Sequence, residues 1–278
     1  MGMGEGLFGR FPDLTASADG ELGYSIAQLC LENPEGRLGA TEFTQPALYV
    51  VNALAYYARM EDSPRKADFL AGHSLGEYNA LLAAGAFDFL TGLRLVRERG
   101  RLMAAASGGA MAAILGLPAE RVAEILRNFA FDEVDIANFN SPQQTVISGP
   151  SADVRHVQQL FKEAGATVFP LNVSGAFHSR LMRSAEAEFR AILEKAPLNK
   201  WTVPVIANAT ALPYEMDRVR DTVASQITSP VLWTDTIQYL LERGSPEFHE
   251  VGPGQVLTKL VAQIKAAPAR MAPGTALA

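Results

Sequence analysis

Hydrophobic and polar positions along residues 108–173 switch between the two-residue period of strands and the longer period of helices. GGAMAAILGL predicts a strand, and PAERVAEILRNF predicts an amphipathic helix with Pro118 near its first turn. VDIANFN and QTVISG predict two strands flanking the turn-forming pair Ser141-Pro142. SADVRHVQQLFKEAG predicts a helix capped by Ser151 and ending at Gly165, and ATVFPLNV predicts a last strand. The order βαββαβ is the ferredoxin-like plan, which suits a small domain beside a cleft.

The flanking segments also alternate between predicted strands and helices. ADFLAG, WTVPVIANAT and PEFHEVG predict strands, whereas GEYNALLAAG, WTDTIQYLLERG and QVLTKLVAQIK predict helices. Such alternation favours a parallel sheet covered on both faces. We therefore predict an α/β fold, with residues 1–107 and 174–265 forming a large domain into which the small domain of residues 108–173 is inserted. Residues 266–278, which are rich in Ala and Pro, are expected to form a linker or tail.

Composition narrows the function classes. The 278 residues are 48% hydrophobic and 19% charged, as in ordinary globular proteins. The net charge of −6 argues against a nucleic-acid partner. We find neither an apolar run of membrane-spanning length nor the apolar core of a signal peptide, so we expect a cytoplasmic protein. The single cysteine, Cys30, is expected to fill the core.

Residues Gly72 to Gly76, GHSLG, match G-x-S-x-G, the pattern of a nucleophile elbow. The pattern lies between a predicted strand and a predicted helix. In such a turn the Ser74 hydroxyl is exposed, the glycines let the backbone fold back, and the Leu75 N–H points at a developing oxyanion. This arrangement makes the predicted core domain hydrolase-like, with Ser74 as nucleophile.

Four histidines could activate Ser74, because a serine hydroxyl needs a base to become a good nucleophile. His73 adjoins it but should point away and line the pocket. His156 is expected on a solvated helix, and His249 in a strand as a core or edge residue. His178 follows a small-residue turn and precedes a helix, the kind of loop that displays catalytic side chains. Before any comparison with known families, the position of His178 in the sequence makes it a candidate for the base.

Several motifs in the same order resemble malonyl-CoA:acyl carrier protein transacylases. These motifs are FTQPALYVV, AGHSLGEYNALLAAGAFDF, LVRERGRLM, ANFNSPQQTVISG, VSGAFHSRLM, ASQITSPVLW and EVGPGQVLTKL. The resemblance covers nearly the whole chain and is closest to the stand-alone, trans-acting acyltransferases of modular polyketide synthases. It implies transfer of a malonyl group from coenzyme A to an acyl carrier protein, in polyketide or fatty acid biosynthesis, without a metal or cofactor. It also implies a monomer.

The resemblance implies a role for each matching residue. Ser74 would carry the malonyl ester, and His178 would be the general base and later the acid. Gln226 matches the position whose backbone carbonyl orients the histidine. Arg99 matches the arginine that grips the malonate carboxylate. Gln45 and Asn140 match pocket positions.

Physical chemistry supports the assignment of Arg99, because burying a carboxylate without a partner would cost several kcal/mol. A guanidinium meets a carboxylate with two parallel hydrogen bonds. The neighbouring Arg94, Arg97 and Arg101 are expected to form a solvated helix face. Leu75 and Phe177 are the types found in malonyl-selective relatives, where a bulky Phe177 would leave little room for a methyl branch.

One departure from the family concerns the N-terminus. Family members begin with a strand and a Gln-Gly-Ser-Gln-type loop that donates a second oxyanion N–H, whereas MGMGEGLF matches the segment just after that loop. We therefore expect an N-terminal strand to be missing, and the polypeptide as written to be poorly active and marginally soluble.

Three other functions stay open at this point. An acyl hydrolase of the same fold would tend to lack the arginine. A degenerate scaffold that binds carrier protein without catalysis is supported by the missing loop alone. A lipase-like esterase would need an acid residue between serine and histidine, for which no clear candidate stands out.

Overall fold

The structure is a computed structural model that describes residues 2–106, 108–244 and 246–267. Its helices are α1 (Leu7–Arg10), α2 (Pro12–Leu22), α3 (Ile26–Leu31), α4 (Thr41–Asp62), α5 (Gly76–Ala84), α6 (Phe89–Ala105), α7 (Ala119–Asn128), α8 (Ser151–Glu163), α9 (Arg183–Leu193), α10 (Val219–Ser225), α11 (Trp233–Leu241) and α12 (Val256–Ala266). Its strands are β1 (Leu70–Ala71), β2 (Gly109–Leu115), β3 (Asp135–Ser141), β4 (Gln144–Pro150), β5 (Thr167–Pro170) and β6 (Val205–Ile206). The predicted tail is outside the described residues from residue 268 onward.

The predicted parallel sheet is present but shorter than expected. Strands β1 and β6 run parallel, with Leu70 opposite Val205. ADFLAG and WTVPVIANAT each contribute only two residues to this sheet. Pro204, just before β6, has no N–H to donate, although its carbonyl accepts the Leu70 N–H at 2.9 Å. After Ala71 the chain turns at once into the GHSLG segment, which ends the pairing.

The ferredoxin-like plan is confirmed. The four strands form an antiparallel sheet in the order β3-β4-β2-β5, so the first strand of the unit lies between the third and the fourth. Strand β2 alternates its side chains: Ile114 packs with α7 and α8, whereas Met111 and Ala113 belong to a second cluster that includes Phe177. The domain boundaries themselves stay a prediction, as does the missing N-terminal strand.

Two local predictions are wrong. PEFHEVG joins no sheet within the described residues; instead the Glu250 carboxylate accepts the N–H groups of Leu257 and Thr258 at the start of α12. Alternation of apolar and charged residues predicted a strand there. Phe248 does pack in the same cluster as Ala71 of β1 and Ile206 of β6, but in the described residues the segment is not paired with either strand. Ser151 does not cap α8. It is the first helical residue, and its hydroxyl donates to the Gly108 carbonyl at 2.9 Å.

Strand β3 joins the antiparallel sheet to the rest of the molecule. The Phe139 N–H donates to the Val231 carbonyl at 2.9 Å, and the Val231 N–H donates to the Ala137 carbonyl at 2.8 Å. Val231 lies just after the Gln226 segment, so β3 runs along one wall of the candidate site. The main core lies on the other side, around α4 and α6, where Cys30 is fully buried as predicted.

Candidate active site

The GHSLG segment forms the predicted turn between β1 and α5. Ser74 adopts a left-handed backbone conformation with φ 52°, which is unusual for a residue with a side chain. A Cβ on Gly72 would lie 2.0 Å from the carbonyl carbon and oxygen of Gly76, so only glycine fits there. A Cβ on Gly76 would meet nothing within 4 Å. The expectation that both glycines prevent a clash is therefore right for Gly72 and wrong for Gly76.

Ser74 and His178 come together across 104 residues of sequence. Ser74 Oγ lies 2.7 Å from His178 Nε2. On the other side of the ring, Nδ1 lies 2.9 Å from the Gln226 carbonyl oxygen and 3.1 Å from that of Ser229. Carbonyl oxygens only accept, so Nδ1 carries the proton and Nε2 is free to accept the Ser74 hydroxyl proton.

Burial holds His178 neutral. The side chain is 4% exposed, and this loss of solvent, together with the nearby Arg99 guanidinium, lowers the pKa of His178 to about 3. The two carbonyl hydrogen bonds oppose this shift without cancelling it. The imidazole is therefore unprotonated at neutral pH, the form in which it can accept a proton.

The other histidines lie elsewhere or act differently. His73 Nε2 lies 2.8 Å from Asn140 Oδ1, and its ring packs against Trp233. The place of His73 in the pocket wall stays a prediction. His156 is exposed on α8, as predicted. The prediction for His249 is wrong: its side chain is 42% exposed in an irregular segment, with Nε2 3.2 Å from Glu247 Oε1.

Arg99 is buried next to the nucleophile. The residue is 1% exposed; Nη1 donates to Gln45 Oε1 at 2.5 Å, and Nη2 lies 3.0 Å from Gln226 Oε1 and 3.4 Å from Ser74 Oγ. Its Nε has no hydrogen-bond partner in the described part of the chain. Burial lowers the pKa of Arg99, and the nearby Tyr78 and Glu77 side chains oppose this shift without cancelling it. No carboxylate in the described residues lies within 4.0 Å of the guanidinium.

The three neighbouring arginines behave as predicted. Arg94 and Arg97 pair with Glu21, and Arg101 pairs with Glu98, all with partly exposed side chains.

Three features of the site escaped sequence reasoning. The Gln226 side chain, and not only its carbonyl, enters the site, because Nε2 donates to the Ser74 carbonyl at 2.8 Å. Asn208 Oδ1 accepts the Ser74 N–H at 2.7 Å, and its Nδ2 donates to the Gly72 carbonyl at 2.7 Å. Glu77, which is fully buried in the first turn of α5, accepts hydrogen bonds from Gln226, Asn208 and Tyr214. The signal that could have found Glu77 is that it is the single charged residue of a mostly apolar helix, GEYNALLAA.

The remaining predicted residues lie around this centre. The Leu75 N–H has no acceptor in the described part of the chain and is available to a ligand. Phe177 is half-buried and packs against both the main core and the β2 cluster. No hydrogen bond or ring contact joins Phe177 to Ser74, so its role in selectivity stays a prediction.

A serine activated by a buried neutral histidine at a strand–turn–helix elbow, with a cation alongside, defines a serine-dependent acyl-transfer site. Comparison with known families agrees. Residues 2–274 match the acyl transferase domain family, and the chain belongs to that family.

Relatives of known name share most of the chain. It is 53% identical over 267 residues to the polyketide biosynthesis malonyl CoA-acyl carrier protein transacylase BaeC of Bacillus velezensis, covering 95% of this chain and 92% of that protein. A crystal structure of malonyl CoA-acyl carrier protein transacylase from Burkholderia pseudomallei superposes with a TM-score of 0.94 at 52% identity, covering 97% of this chain and 95% of the other.

A second similar structure contains a partner. It is a type II polyketide synthase acyl-carrier protein in complex with its malonyl-transacylase, with a TM-score of 0.89 at 36% identity, covering 95% of this chain and 88% of that one. These similarities make the chain an acyltransferase of the malonyl transacylase type.

Two features are absent from the described residues. No helix there is both long and apolar enough to cross a bilayer. Nor do three or more His, Cys, Asp or Glu side chains cluster there in a way that could hold a metal ion.

Proposed function

We propose that this chain transfers a malonyl group from malonyl-CoA to the phosphopantetheine thiol of an acyl carrier protein, through an ester on Ser74. The observation that carries the proposal is the buried Arg99 guanidinium beside the Ser74–His178 pair, without a carboxylate of its own. A substrate that brings its own carboxylate would supply the missing charge.

The first half-reaction forms the acyl-enzyme. Ser74 Oγ attacks the thioester carbonyl carbon while His178 Nε2 takes the hydroxyl proton. The tetrahedral oxyanion is stabilised by the Leu75 N–H at the start of α5. When the C–S bond breaks, the imidazolium returns the proton to the departing coenzyme A thiolate. Malonyl-CoA is thus a substrate, and the reaction needs no metal or further cofactor.

The second half-reaction reverses these steps with a different thiol. The carrier-protein thiol gives its proton to His178 and attacks the Ser74 ester. Collapse of the intermediate then releases the serine oxygen, which regains the proton. The similar structure of a malonyl-transacylase in complex with an acyl-carrier protein supports this choice of acceptor.

The position of Arg99 also limits the length of the acyl group. Its Nη2 lies only 3.4 Å from the nucleophilic oxygen. In a malonyl group, one methylene separates the carboxylate from the reacting carbonyl, so both ends fit within this short reach. Gln45 accepts from Nη1 and Gln226 accepts from Nη2. Nη2 also faces Ser74 Oγ, where the ligand would bind.

Intact mass measurement tests the proposal. Wild-type protein mixed with malonyl-CoA should gain one malonyl group and lose it when a carrier protein bearing phosphopantetheine is added, with the malonyl mass moving to the carrier. Ser74→Ala should gain no adduct. A full adduct on that variant would move the nucleophile elsewhere. Loss of malonyl to water, without transfer to the carrier, would show a hydrolase instead.

A further inference from the structure

We propose that Glu77 is a positioning residue for this reaction: its buried carboxyl group orients the Gln226 side chain and thereby the Ser74, His178 and Arg99 groups that Gln226 contacts. This inference rests on the proposed function of Ser74 and His178. Glu77 touches neither the nucleophile nor the guanidinium by hydrogen bond, and would act through its neighbours.

Glu77 lies at the centre of a set of hydrogen-bond donors. Its Oε2 accepts from Gln226 Nε2 at 2.5 Å, and its Oε1 accepts from the Asn208 backbone N–H at 3.2 Å and from the Tyr214 hydroxyl. Glu77 is 1% exposed, so water does not compete for these bonds. A carboxylate is the side chain that accepts on both oxygens without presenting a donor.

Gln226 connects Glu77 to the catalytic groups, because it bonds to Ser74, His178 and Arg99. Gln226 Nε2 points toward Glu77 and the Ser74 carbonyl. The Oε1 atom of the same amide must therefore face Arg99, and it accepts a hydrogen bond from Nη2 at 3.0 Å. Its backbone carbonyl accepts His178 Nδ1 at 2.9 Å. Turning the Gln226 amide over would set its NH₂ group against the guanidinium, two donors facing each other. Glu77 therefore selects the amide orientation that the site needs.

Asn208 gives Glu77 a second connection to the elbow. The Asn208 backbone N–H donates to Glu77, which fixes the position of Asn208. The Asn208 side chain in turn accepts the Ser74 N–H and donates to the Gly72 carbonyl. The same carboxyl group thus supports the turn that holds the nucleophile and the residue, Gln226, whose backbone carbonyl holds the base.

The decisive variant is Glu77→Gln, which keeps the volume of the side chain and removes its charge. Burial raises the pKa of Glu77 to about 7, so both readouts below are measured at about pH 8, where the carboxyl group is mostly ionised. No orientation of a glutamine amide satisfies Gln226 Nε2, the Asn208 N–H and Tyr214 together, because its NH₂ group must face one of these donors. We expect the Gln226 amide to lose its fixed orientation, with the serine and arginine contacts loosened as a result.

Two measurements separate positioning from mere stability. The first is the rate at which Ser74 reacts with phenylmethylsulfonyl fluoride, followed by intact mass, in which the serine oxygen bonds to sulfur, fluoride leaves and His178 takes the proton. This probe does not depend on malonyl-CoA. The second is the ratio of kcat/KM for malonyl-CoA and acetyl-CoA, which loss of folded protein alone would not change.

We expect Glu77→Gln to lower the sulfonylation rate per folded molecule by roughly 10–100-fold, the loss that is typical when a residue that orients a metal-ligating histidine is removed. We also expect it to lower the ratio of kcat/KM for malonyl-CoA and acetyl-CoA. Asn79→Ala is the matched control on the same helix, since Asn79 bonds Tyr49 and Asn52 away from the site. It should leave both readouts near wild type. A Glu77→Gln sulfonylation rate within twofold of wild type overturns the proposal.

If Glu77→Gln does not fold, Tyr214→Phe decides the question, because it removes only the hydroxyl that bonds Glu77. A threefold or greater loss of sulfonylation rate supports positioning, and an unchanged rate refutes it. Wild-type protein that is sulfonylated at Ser74 but takes no malonyl group would refute the proposed function and leave the Glu77 comparison intact.

Discussion

At the scale of single residues, the unusual feature is the guanidinium of Arg99, which is buried away from water. Arg99 donates to two amide oxygens, of Gln45 and Gln226, which satisfy hydrogen bonds but supply no negative charge. The Glu77 carboxyl group attracts this charge from the other side of Gln226 but does not contact it. A buried cation with no carboxylate in direct contact is costly, which favours a ligand that supplies one.

This reasoning predicts the effect of Arg99→Ala. The variant should lose most of the preference for malonyl-CoA over acetyl-CoA, because only malonyl carries the carboxylate that Arg99 would pair. The measurement is the ratio of kcat/KM for the two donors. Arg94→Ala, on the exposed side of the same helix, is the control and should keep the wild-type ratio. An unchanged ratio in Arg99→Ala would assign selectivity to another residue.

His178 is the second residue whose surroundings define its role. Its proton position is set by two carbonyl oxygens, and burial holds it neutral. We expect His178→Ala to slow acylation of Ser74 by roughly 10²–10⁴-fold, the usual loss for a general base. Single-turnover acylation with malonyl-CoA measures this, and a rate equal to wild type would move the base elsewhere.

At the scale of elements, the elbow between β1 and α5 depends on one of its two glycines. Gly72 faces the backbone of Gly76 at a distance that admits no side chain, while the space beside Gly76 is open. The chain therefore offers two chemically identical substitutions that differ in steric cost alone.

We expect Gly72→Ala to lower the melting temperature strongly or prevent folding, because an added methyl would displace the start of α5. Gly76→Ala should keep a melting temperature within a few degrees of wild type, corresponding to about 1 kcal/mol or less. Thermal unfolding of both variants checks this. Equal destabilisation would mean that the turn adapts to a side chain at either position.

At the scale of the whole molecule, two buried groups make stability depend on pH in opposite ways. Folding lowers the pKa of His178 from 6.5 to about 3, so between these values only the unfolded chain binds the proton and stability falls as pH falls. Burial raises the pKa of Glu77 from 4.5 to about 7, so in that window only the folded chain holds the proton and stability falls as pH rises. Between about pH 4.5 and 6.5 the two effects oppose each other.

Removing one group should reveal the other. In His178→Gln, the free energy of unfolding should decrease more steeply from pH 4.5 to 7 than in wild type, by at most about 1.4 kcal/mol per pH unit. Urea unfolding at several pH values gives this slope. The same pH dependence in variant and wild type would show that His178 is protonated alike in the folded and unfolded chains.

The sequence by itself predicted much of this molecule. The period of apolar residues determined the βαββαβ order, because that signal acts between near neighbours. The GHSLG spacing predicted the elbow for the same reason. The family resemblance singled out Arg99, Gln45 and Gln226, which the structure brings together with Ser74 and His178.

Only the tertiary structure decided which segments pair as strands and which distant side chains contact each other. PEFHEVG has the alternation of a strand, but a strand forms only where backbone hydrogen bonds pair it with another strand, and in the described residues this segment joins neither sheet. The Glu77 contacts with Asn208 and Gln226 span 131 and 149 residues, and the Gln226 side chain meets the Ser74 carbonyl across 152. No local pattern encodes such pairs, because they depend on how α5, β6 and α10 pack around one buried carboxyl group.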